Sequence, residues 1–378
     1  MKIFVIDISA RSFAQYNPSL CRAMSDLDNH NEVYLLSTSI KDDNPNYHVK
    51  RLIRLVPSAL AGTENPFKRI LRALEVFINY IYISILILKN KPGVAHFQWL
   101  PFVEVSWIES LFLKLYRRIN KKIKIFLTVH NVYPHDLKDN SKYKKNFLKV
   151  SKELDGYFVH LNSTRTVFHQ EFNIPLEKIF VSYHGIYNHT PIKEGSDNNG
   201  IVKIVLYGLQ KWYKGADIFV EALESLPKEY LKKCNSTIVG VTDPDLYNRY
   251  ISISHSLNVN WINAYVSDNE LNRIIEESSL ILLPYRKISQ SGVLLLALSY
   301  MKPILTSDLD SFKETLDGYP SDYFFKSEDP HSLAQLIIRF INGDINIERM
   351  NHIIRDLNKK YSWEETAKST LSAYNLTN

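Results

Sequence analysis

Cysteine, glycine and long uninterrupted apolar runs are all scarce in this chain of 378 residues. Its two cysteines, Cys21 and Cys234, fit neither a disulfide framework nor a zinc cluster, which excludes a small disulfide-rich fold. Twelve glycines and fifteen prolines are too few for a fibrous or mainly disordered chain. The first apolar run, Ile3–Ile6, is too short for a signal peptide and predicts a strand, so we expect a cytoplasmic protein.

Several motifs of cofactor and metal enzymes are also absent. The turn after the first strand has no glycine-rich dinucleotide fingerprint, and the chain has no phosphate loop, no His-Glu-x-x-His and no nucleophile elbow. These absences weigh against NAD, ATP and zinc enzymes. We therefore expect no cofactor and no catalytic metal.

The net charge of +6 is unevenly distributed along the chain. Residues 1–190 hold 26 Lys and Arg against 16 Asp and Glu, and the remaining residues hold 20 against 24. A basic first half favours an anionic partner, either membrane phosphates or nucleic acid. The chain lacks the basic and aromatic pattern of a nucleic-acid-binding module, so we expect no nucleic-acid partner.

Short apolar runs alternate with longer helical patterns, which is typical of parallel α/β architecture. The predicted strands are Ile3–Ile8, Val33–Leu36, Val94–Phe97, Ile123–Val129, Tyr157–Leu161, Ile179–Ser182, Val202–Tyr207, Thr237–Val239, Val259–Ile262, Leu280–Leu283, Ile304–Leu305 and Tyr323–Phe325. A polar, Gly- and Asn-rich stretch over residues 188–200 predicts a linker, where the charge also changes sign. We expect two doubly wound α/β lobes, residues 1–188 and 200–360, and a final helix over 361–378.

The segment from Phe67 to Lys91 is basic at its start and apolar over Leu74–Leu88. Its apolar run is interrupted, so it is predicted to be too short to cross a bilayer. It is either a buried helix on the first sheet or a helix whose exposed face rests on a membrane. Basic patches over 114–124 and 138–149 favour a peripheral position on an anionic membrane.

Two strand-to-helix loops in the second half carry residues suited to a diphosphate. The first loop has Gly208 at the strand end, with Lys211, Lys214 and Gly215 before a helix. The second loop has Tyr285 after the strand, and Gln290-Ser291-Gly292-Val293 opens a helix whose backbone N–H groups suit a phosphate or sugar hydroxyl. Each loop taken alone could also be an ordinary connection with solvated lysines.

The ordered set of motifs resembles the group 1, family-4-like glycosyltransferases, which have the GT-B fold. The resemblance covers nearly the whole chain and rests on Tyr207-Gly208, Tyr213–Asp217, Pro284-Tyr285, Gln290–Gly292, Ala297 and Lys302-Pro303, with His96–Pro101, Leu127–His135 and Tyr183–Gly185 in the first half. It implies two Rossmann-like lobes facing an interlobe cleft, with a UDP- or GDP-sugar donor on the second lobe and the acceptor on the first. It also implies a final helix that returns to the first lobe, with Trp363 as its anchor.

The resemblance also implies roles for single residues. Lys214 matches the family's diphosphate-binding lysine. Leu209 stands where the family often has arginine, and we expect Lys211 to replace that arginine. His130 matches the cleft histidine, which would act as general base or hold the sugar's 6-hydroxyl. His184 would lie near the diphosphate, and Gln98, Trp99 and His135 would lie on the acceptor side.

One departure from the family pattern concerns two glutamates. Their positions are occupied by Ile288 and Leu296, which leaves the ribose contact, the donor and the stereochemical outcome open. We interpret the sequence as a metal-independent hexosyltransferase that acts on a saccharide or a polyprenyl-diphosphate-linked saccharide in surface polysaccharide assembly. The alternatives are a sugar-nucleotide epimerase of the same fold and a nucleotide-sugar-binding protein without turnover.

Overall fold

The computed structural model describes residues 1–8, 15–39, 45–56, 66–134, 140–187 and 200–376. The chain divides into two compact units: Met1–Gly185 with Tyr361–Asn378, and Ile186–Lys360. We call these the first unit and the second unit. The predicted linker falls on residues 188–200, of which all but Gly200 lie outside the described residues.

The first unit contains a parallel sheet of seven strands with the order β3-β2-β1-β4-β5-β6-β7. Its strands are β1 (Lys2–Asp7), β2 (Glu32–Ser37), β3 (His48–Arg51), β4 (Val94–Phe97), β5 (Lys124–Thr128), β6 (Gly156–Val159) and β7 (Ile179–Val181). Its helices are α1 (Tyr16–Leu27), α2 (Pro66–Asn90), α3 (Glu109–Ile119), α4 (Asn140–Val150), α5 (Asn162–Phe172) and, from the end of the chain, α14 (Trp363–Leu376).

The second unit contains a parallel sheet of six strands with the order β10-β9-β8-β11-β12-β13. Its strands are β8 (Val202–Tyr207), β9 (Cys234–Val239), β10 (Asn260–Ile262), β11 (Leu280–Leu283), β12 (Ile304–Ser307) and β13 (Phe324–Phe325). Its helices are α6 (Ala216–Glu224), α7 (Lys228–Leu231), α8 (Pro244–Ser256), α9 (Asp268–Glu276), α10 (Gly292–Ser299), α11 (Asp310–Thr315), α12 (Pro330–Asn342) and α13 (Ile347–Lys360).

All twelve predicted strands are present, most with ends shifted by one or two residues. The central strands β4 and β11 are buried along their whole length, as expected for strands covered by helices on both faces. The sequence analysis missed β3, an edge strand of which most residues are exposed. An edge strand packs against fewer neighbours, so it needs fewer apolar residues and its sequence shows no apolar run.

Each sheet has one point where the strand order reverses. In the first sheet this point lies between β1 and β4, and in the second sheet it lies between β8 and β11. Connections leave the two neighbouring strands in opposite directions there, which opens a crevice at their carboxyl ends where doubly wound proteins bind ligands. Gln98 follows β4, Gly208 follows β8 and Tyr285 follows β11, so three predicted site residues lie at these points.

Helix α14 packs on the first unit. Trp363 contacts the rings of Tyr16 and His184, with centroids 5.3 and 5.4 Å away. Thr366 Oγ1 donates to the Tyr183 carbonyl at 2.8 Å, and the Thr370 hydroxyl lies 2.9 Å from the Ser182 hydroxyl. The final helix therefore completes the first unit around Trp363.

Helix α2 is longer than the sequence analysis expected. It has 25 residues, and by length and composition alone its residues Phe67–Asn90 could cross a membrane, so the prediction that this segment is too short is wrong. One of its faces is tied to the chain before it: Glu75 accepts from the backbone N–H groups of Leu55 and Val56, and Asn79 bonds both backbone groups of Ile53. The other face carries exposed apolar side chains.

Candidate functional site

The first candidate site lies where the order of the second sheet reverses, and glycines shape its backbone. Gly208 ends β8 with φ +97°, and a Cβ there would lie 3.3 Å from Lys214 Nζ and 3.1 Å from a methyl of Val293. Gly215 precedes α6 with φ +72°, and a Cβ there would overlap the Pro284 carbonyl oxygen. Both positions combine a left-handed backbone with close neighbours, so a side chain would disturb the loop geometry.

Lys214 is the charged group of this site. Its side chain is only 8% exposed, and Nζ lies 5.0 Å from the centroid of the Tyr285 ring. Burial lowers the pKa of Lys214 to about 8 because the ammonium loses hydration. A buried cation with few compensating charges gains strongly from an anion that replaces the lost water.

Lys211 lies in a different environment. Its side chain is about half exposed, and Nζ lies 3.9 Å from a carboxylate oxygen of Asp243. Leu209, at the position where the family often has arginine, is also about half exposed. An exposed ion pair contributes little to stability, so this contact does not fix Lys211 in place. Of the two predicted lysines, only Lys214 is buried beside Gly208 and Tyr285.

Helix α10 begins directly beside this cluster. Ser291 is its N-cap, and its Oγ accepts from the Leu294 backbone N–H at 3.1 Å. The Val293 carbonyl accepts from the hydroxyl of Tyr207, the last residue of β8, at 2.6 Å. Gly292 is exposed, and Gln290 is half-buried. The positive end of the helix dipole therefore lies near Gly208 and Lys214, as an anion site requires.

The sequence analysis gave no role to Asp217, which ends one of its motifs, or to Arg286, which follows Tyr285. The Arg286 guanidinium makes two hydrogen bonds to the Asp217 carboxylate, at 2.9 and 2.7 Å, and lies 4.7 Å from the centroid of the Trp212 ring. Arg286 also donates to the Trp212 carbonyl. This paired contact fixes the loop after β8 against the loop after β11 and thereby holds Lys214 and Tyr285 in place. The only sequence signal was a carboxylate and an arginine at equivalent strand ends.

The second candidate site is a small pocket in the first unit that is partly open to solvent. Its lining includes Trp99 after β4, Glu104 in the following loop, and Thr128, His130 and Asn131 at the end of β5. Trp99 and His130 were predicted to lie at such a site, whereas Glu104 was missed. Its neighbours Val103 and Val105 gave no motif that marked it as a binding residue.

His130 forms a hydrogen-bonded pair with His160. His160 Nδ1 lies 2.9 Å from the Ser182 carbonyl, and its Nε2 lies 3.1 Å from His130 Nδ1. A carbonyl only accepts, so in the neutral pair His160 Nδ1 carries a proton, its Nε2 accepts from His130, and His130 Nε2 keeps its lone pair. Burial, together with the charges of His160, His184 and His96, lowers the pKa of His130 well below its usual value. His130 is therefore a weak base at neutral pH and a suitable hydrogen-bond acceptor for a hydroxyl.

Gln98 is completely buried at the order reversal of the first sheet. Among the described residues, none hydrogen-bonds to either polar atom of its side-chain amide. A buried amide without partners costs stability, so such a group is normally satisfied by water or by a ligand. The lining of the pocket includes its neighbour Trp99 but not Gln98, so the place of Gln98 on the acceptor side stays a prediction.

Two further predicted residues are His184 and His135. His184 belongs to the first unit, where Tyr16 and Trp363 pack on its ring, whereas the other predicted donor residues belong to the second unit. His135 lies outside the described residues. In the part of the chain that the structure describes, no group of three or more His, Cys, Asp or Glu residues is placed to hold a metal ion.

Comparison with known proteins agrees with the fold and with the first candidate site. Residues 202–343, within the second unit, match the family model of the group 1 glycosyl transferases. Over nearly its full length the chain is similar to a glycosyltransferase from Rickettsia africae, with a TM-score of 0.70, 15% identity and coverage of 100% and 98%. It is also similar to Anabaena HepE in complex with UDP, with a TM-score of 0.68, 12% identity and coverage of 98% and 99%. The fold is GT-B, and residues 202–343 match the group 1 glycosyl transferases, which agrees with the resemblance inferred from the sequence.

The relatives found by sequence match about half of the chain. The chain is 25% identical over 182 residues to a GDP-mannose:glycolipid 4-beta-D-mannosyltransferase of Xanthomonas campestris pv. campestris, covering 47% of this chain and 48% of that protein. A second protein with that name and from that organism is 24% identical over 213 residues. The chain spans about half the length of these two relatives that it matches.

Proposed function

We propose that this protein is a glycosyltransferase that moves a hexose from a UDP- or GDP-sugar to a saccharide or lipid-linked saccharide. The second unit would hold the donor, and the pocket of the first unit would receive the acceptor. The glycolipid mannosyltransferases of Xanthomonas and the UDP complex of Anabaena HepE support a nucleotide-sugar donor, and the former supports a glycolipid acceptor. We propose that this transfer belongs to surface polysaccharide assembly, which uses lipid-linked saccharide acceptors. The cytoplasmic location expected from the N-terminal strand stays a prediction.

The observation that carries the proposal is the burial of Lys214 beside Gly208 and the start of α10. A nucleoside diphosphate brings two or more negative charges, and the ammonium and the helix N–H groups would stabilise them in place of water. The same groups would stabilise the charge that develops on the diphosphate as the sugar leaves. We propose that this stabilisation suffices without a divalent cation, so EDTA should leave the rate unchanged.

Glu104 and His130 in the first unit would contact the acceptor, one as a base and the other as a hydrogen-bond acceptor. Glu104 is the carboxylate in the lining of the pocket, and it would take the proton from the attacking hydroxyl. His130, held neutral, would accept a hydrogen bond from a sugar hydroxyl through Nε2. Gln98 would satisfy its buried amide on a polar group of the acceptor or on a water molecule beside it.

A thermal-shift panel tests the donor site directly. UDP, GDP, CMP and their common sugar conjugates are added to the wild-type protein, to Lys214→Ala and to Lys228→Ala, an exposed lysine of the second unit that serves as the matched control. We expect one nucleotide to raise the melting temperature of the wild type and the control but not of Lys214→Ala. A shift that persists unchanged in Lys214→Ala would contradict the proposed site.

A nucleotide-sugar-binding protein without transfer is the second candidate, and the departures at Ile288 and Leu296 favour it. These side chains stand where the family commonly has glutamates, and neither can bind a ribose hydroxyl through a carboxylate. Release of the nucleotide from the donor identified by thermal shift, measured with a panel of saccharide acceptors, separates the two candidates. Release that needs an acceptor supports transfer, and conversion of the sugar nucleotide without an acceptor would indicate the epimerase.

A further inference from the structure

One face of α2 presents a continuous row of exposed apolar side chains. They recur every three or four residues, which places them on one side of the helix, and each is between 40% and 66% exposed: Phe67, Ile70, Leu74, Phe77, Ile81, Ile85 and Leu88. Isolated exposed apolar residues are ordinary, but a row along about six turns of helix forms a contiguous patch. We call this row the α2 stripe.

Helix α3 extends the patch. The Phe77 ring contacts the Phe112 ring with centroids 5.4 Å apart, so the two helices lie side by side there. The α3 residues Leu111 and Leu115 are 51% and 40% exposed and stand one turn apart. Trp107, just before α3, is 41% exposed. A partly exposed tryptophan beside an apolar patch is typical of proteins that sit at a membrane interface.

The charges on α2 and α3 have one sign where they are exposed. The carboxylates of the two helices are Glu75 and Glu109, and both are completely buried. The basic residues of the two helices are exposed or half-buried: Lys68, Arg69, Arg72, Lys89, Lys114, Arg117 and Arg118. Three of these residues form ion pairs, Arg72 with Glu75, Lys114 with Glu153 and Arg117 with Asp155. The exposed charge that α2 and α3 themselves carry is positive, which is complementary to anionic lipid headgroups.

The contacts of the opposite face show how such a helix would meet a membrane. Glu75 and Asn79 hold α2 to the backbone of residues 53–56, and the Tyr80 hydroxyl donates to Glu109 at 2.5 Å. Crossing the bilayer would break these bonds and place a carboxylate in hydrocarbon, which is costly. The bonds are kept if the helix lies parallel to the surface with only the α2 stripe in the lipid.

We propose that the α2 stripe, with the exposed part of α3, docks the protein on an anionic lipid surface, with α2 parallel to the membrane plane. The docking would bring the first unit to the level of the headgroups, where a lipid-linked saccharide presents its sugar. The inference depends on α2 and α3 alone, because vesicle binding is measured without donor or acceptor. A failure of the proposed transfer reaction would therefore leave it standing.

The test is flotation of the full chain with two kinds of vesicle, phosphatidylcholine alone and phosphatidylcholine with 30 mol% phosphatidylglycerol, at about 0.1 M salt. We expect binding to the anionic vesicles that weakens at least severalfold at higher salt. The double variant Ile70→Asp/Ile81→Asp should bind at least about tenfold more weakly, because it places charges in the α2 stripe. Arg69→Glu/Arg118→Glu should lose most of the preference for anionic vesicles.

Matched controls exclude a general effect of added charge. Val167→Asp/Leu176→Asp changes two apolar residues of the first unit that are 44% and 42% exposed, close to the 45% of Ile81, and should bind like the wild type. Lys228→Glu/Lys232→Glu makes the same charge change on the second unit and should keep the lipid preference. Melting temperatures of all variants check that the fold is intact, which is expected because every changed side chain is exposed or half-buried.

Two results would overturn the proposal. The first is that the wild type does not float with anionic vesicles, or that the α2 stripe variant floats equally well. The second is a concentration-dependent dimer, seen by light scattering, that Ile70→Asp/Ile81→Asp dissociates while vesicle binding is absent. In that case a second copy of the chain, and not a membrane, would cover the stripe.

Discussion

Lys214 and Lys211 show how burial separates two residues that look alike in sequence. They stand three positions apart in the same loop, yet Lys214 is 8% exposed and Lys211 is about half exposed beside Asp243. The motif alone favoured Lys214, and the folded loop gives a physical reason. A glycine at 208 leaves room for the Lys214 ammonium, and Arg286 fixes the backbone on which it sits.

Replacing Lys214 should stabilise the unliganded protein while removing donor binding. The pKa of Lys214 falls from 10.5 to about 8 on folding, so folding at pH 7 desolvates a charge. The cost is full below pH 8 and disappears as the pH rises from about 8 to 10.5, because the unfolded chain then binds more protons than the folded one. We expect Lys214→Met to raise the free energy of unfolding by up to about 3 kcal/mol at pH 7, and by much less at pH 9.5.

Urea unfolding at pH 7 and pH 9.5 measures this difference. Lys228→Met, which removes an exposed lysine, should change stability by less than about 0.5 kcal/mol at both values. A Lys214→Met protein that is less stable than the wild type at pH 7 would show that the ammonium already has a compensating partner in the free protein.

Glu104 and His130 should differ in their effect on catalysis. If Glu104 takes the proton of the acceptor hydroxyl, Glu104→Gln should lower kcat by about 10² to 10⁴ and leave the nucleotide thermal shift intact. Steady-state kinetics with a working acceptor measures this, with Glu177→Gln, at an exposed carboxylate of the first unit, as the control. An unchanged kcat in Glu104→Gln would return the role of base to His130, despite its lowered pKa.

At the scale of elements, the sequence predicted that α14 contacts the first unit but not which residues it contacts. The resemblance to GT-B enzymes gave Trp363 as an anchor, but its partner is Gly185: a Cβ on Gly185 would lie 2.2 Å from the Trp363 ring. The ring is 9% exposed and also packs on Tyr16 and His184. The end of the chain is thereby part of the first unit, 178 positions after Gly185.

Gly185→Ala should destabilise the first unit by about 1 to 3 kcal/mol, because the added methyl would overlap the Trp363 ring. Trp363→Ala alone should cost about 3 to 5 kcal/mol. In the double variant the costs should be less than additive, since the smaller residue at 363 makes room for the methyl. Urea denaturation of the four proteins measures the coupling, and strict additivity would show that the two residues do not contact in solution.

The sequence predicted the positions of strands and helices far better than it predicted which of their faces are exposed. The predicted strands are confirmed because each combines β-branched or aromatic residues with a flanking turn, a local pattern. Strand β3 was missed because a half-exposed edge strand leaves no apolar run. For α2 the sequence left two alternatives open, a buried helix and a helix resting on a membrane. One face of α2 is buried and the other is exposed, and contact of the exposed face with a membrane stays a prediction.

Across the described parts of the whole molecule, the buried histidines belong to the first unit. Its histidines His96, His130, His160 and His184 lie near one another around Tyr16, and each has a lowered pKa, about 3 for His96 and His184 and about 4 for His160. Burial is the largest cause in every case, and the charges of neighbouring histidines add to it for His96, His130 and His184. For the described histidines of the second unit, His255, His331 and His352, no comparable burial occurs.

The first unit should therefore be the acid-sensitive one. A histidine whose pKa is lowered in the folded state contributes its stability above pH 6.5 and loses it as the pH falls toward the folded value. Each such histidine should cost up to about 1.4 kcal/mol per pH unit between pH 6 and pH 4. Calorimetry at pH 7.5, 6 and 5, with limited proteolysis to assign the transitions, should show the first unit unfolding earlier at low pH.

His96→Gln provides the control for this pH dependence. It removes one titrating group while keeping polar atoms near Thr128 and Tyr374. The number of protons taken up on unfolding, which sets the slope of stability against pH, should therefore fall by about one. Equal pH dependence of the two units, or an unchanged slope in His96→Gln, would argue that the histidines are hydrated in solution.

The sequence by itself determined the alternation of strands and helices, the two α/β units, and the strand-end loops that hold the donor-site residues. These features follow from local periodicity and turn chemistry, which act over a few residues. The tertiary structure decided which lysine is buried, which nitrogen of His130 keeps its lone pair, that Glu104 joins the pocket, and which face of α2 is exposed. Such properties depend on partners far apart in the chain, as His96 and Tyr374 are, 278 positions apart. Burial and hydrogen bonding are set only when the packed elements bring those partners together.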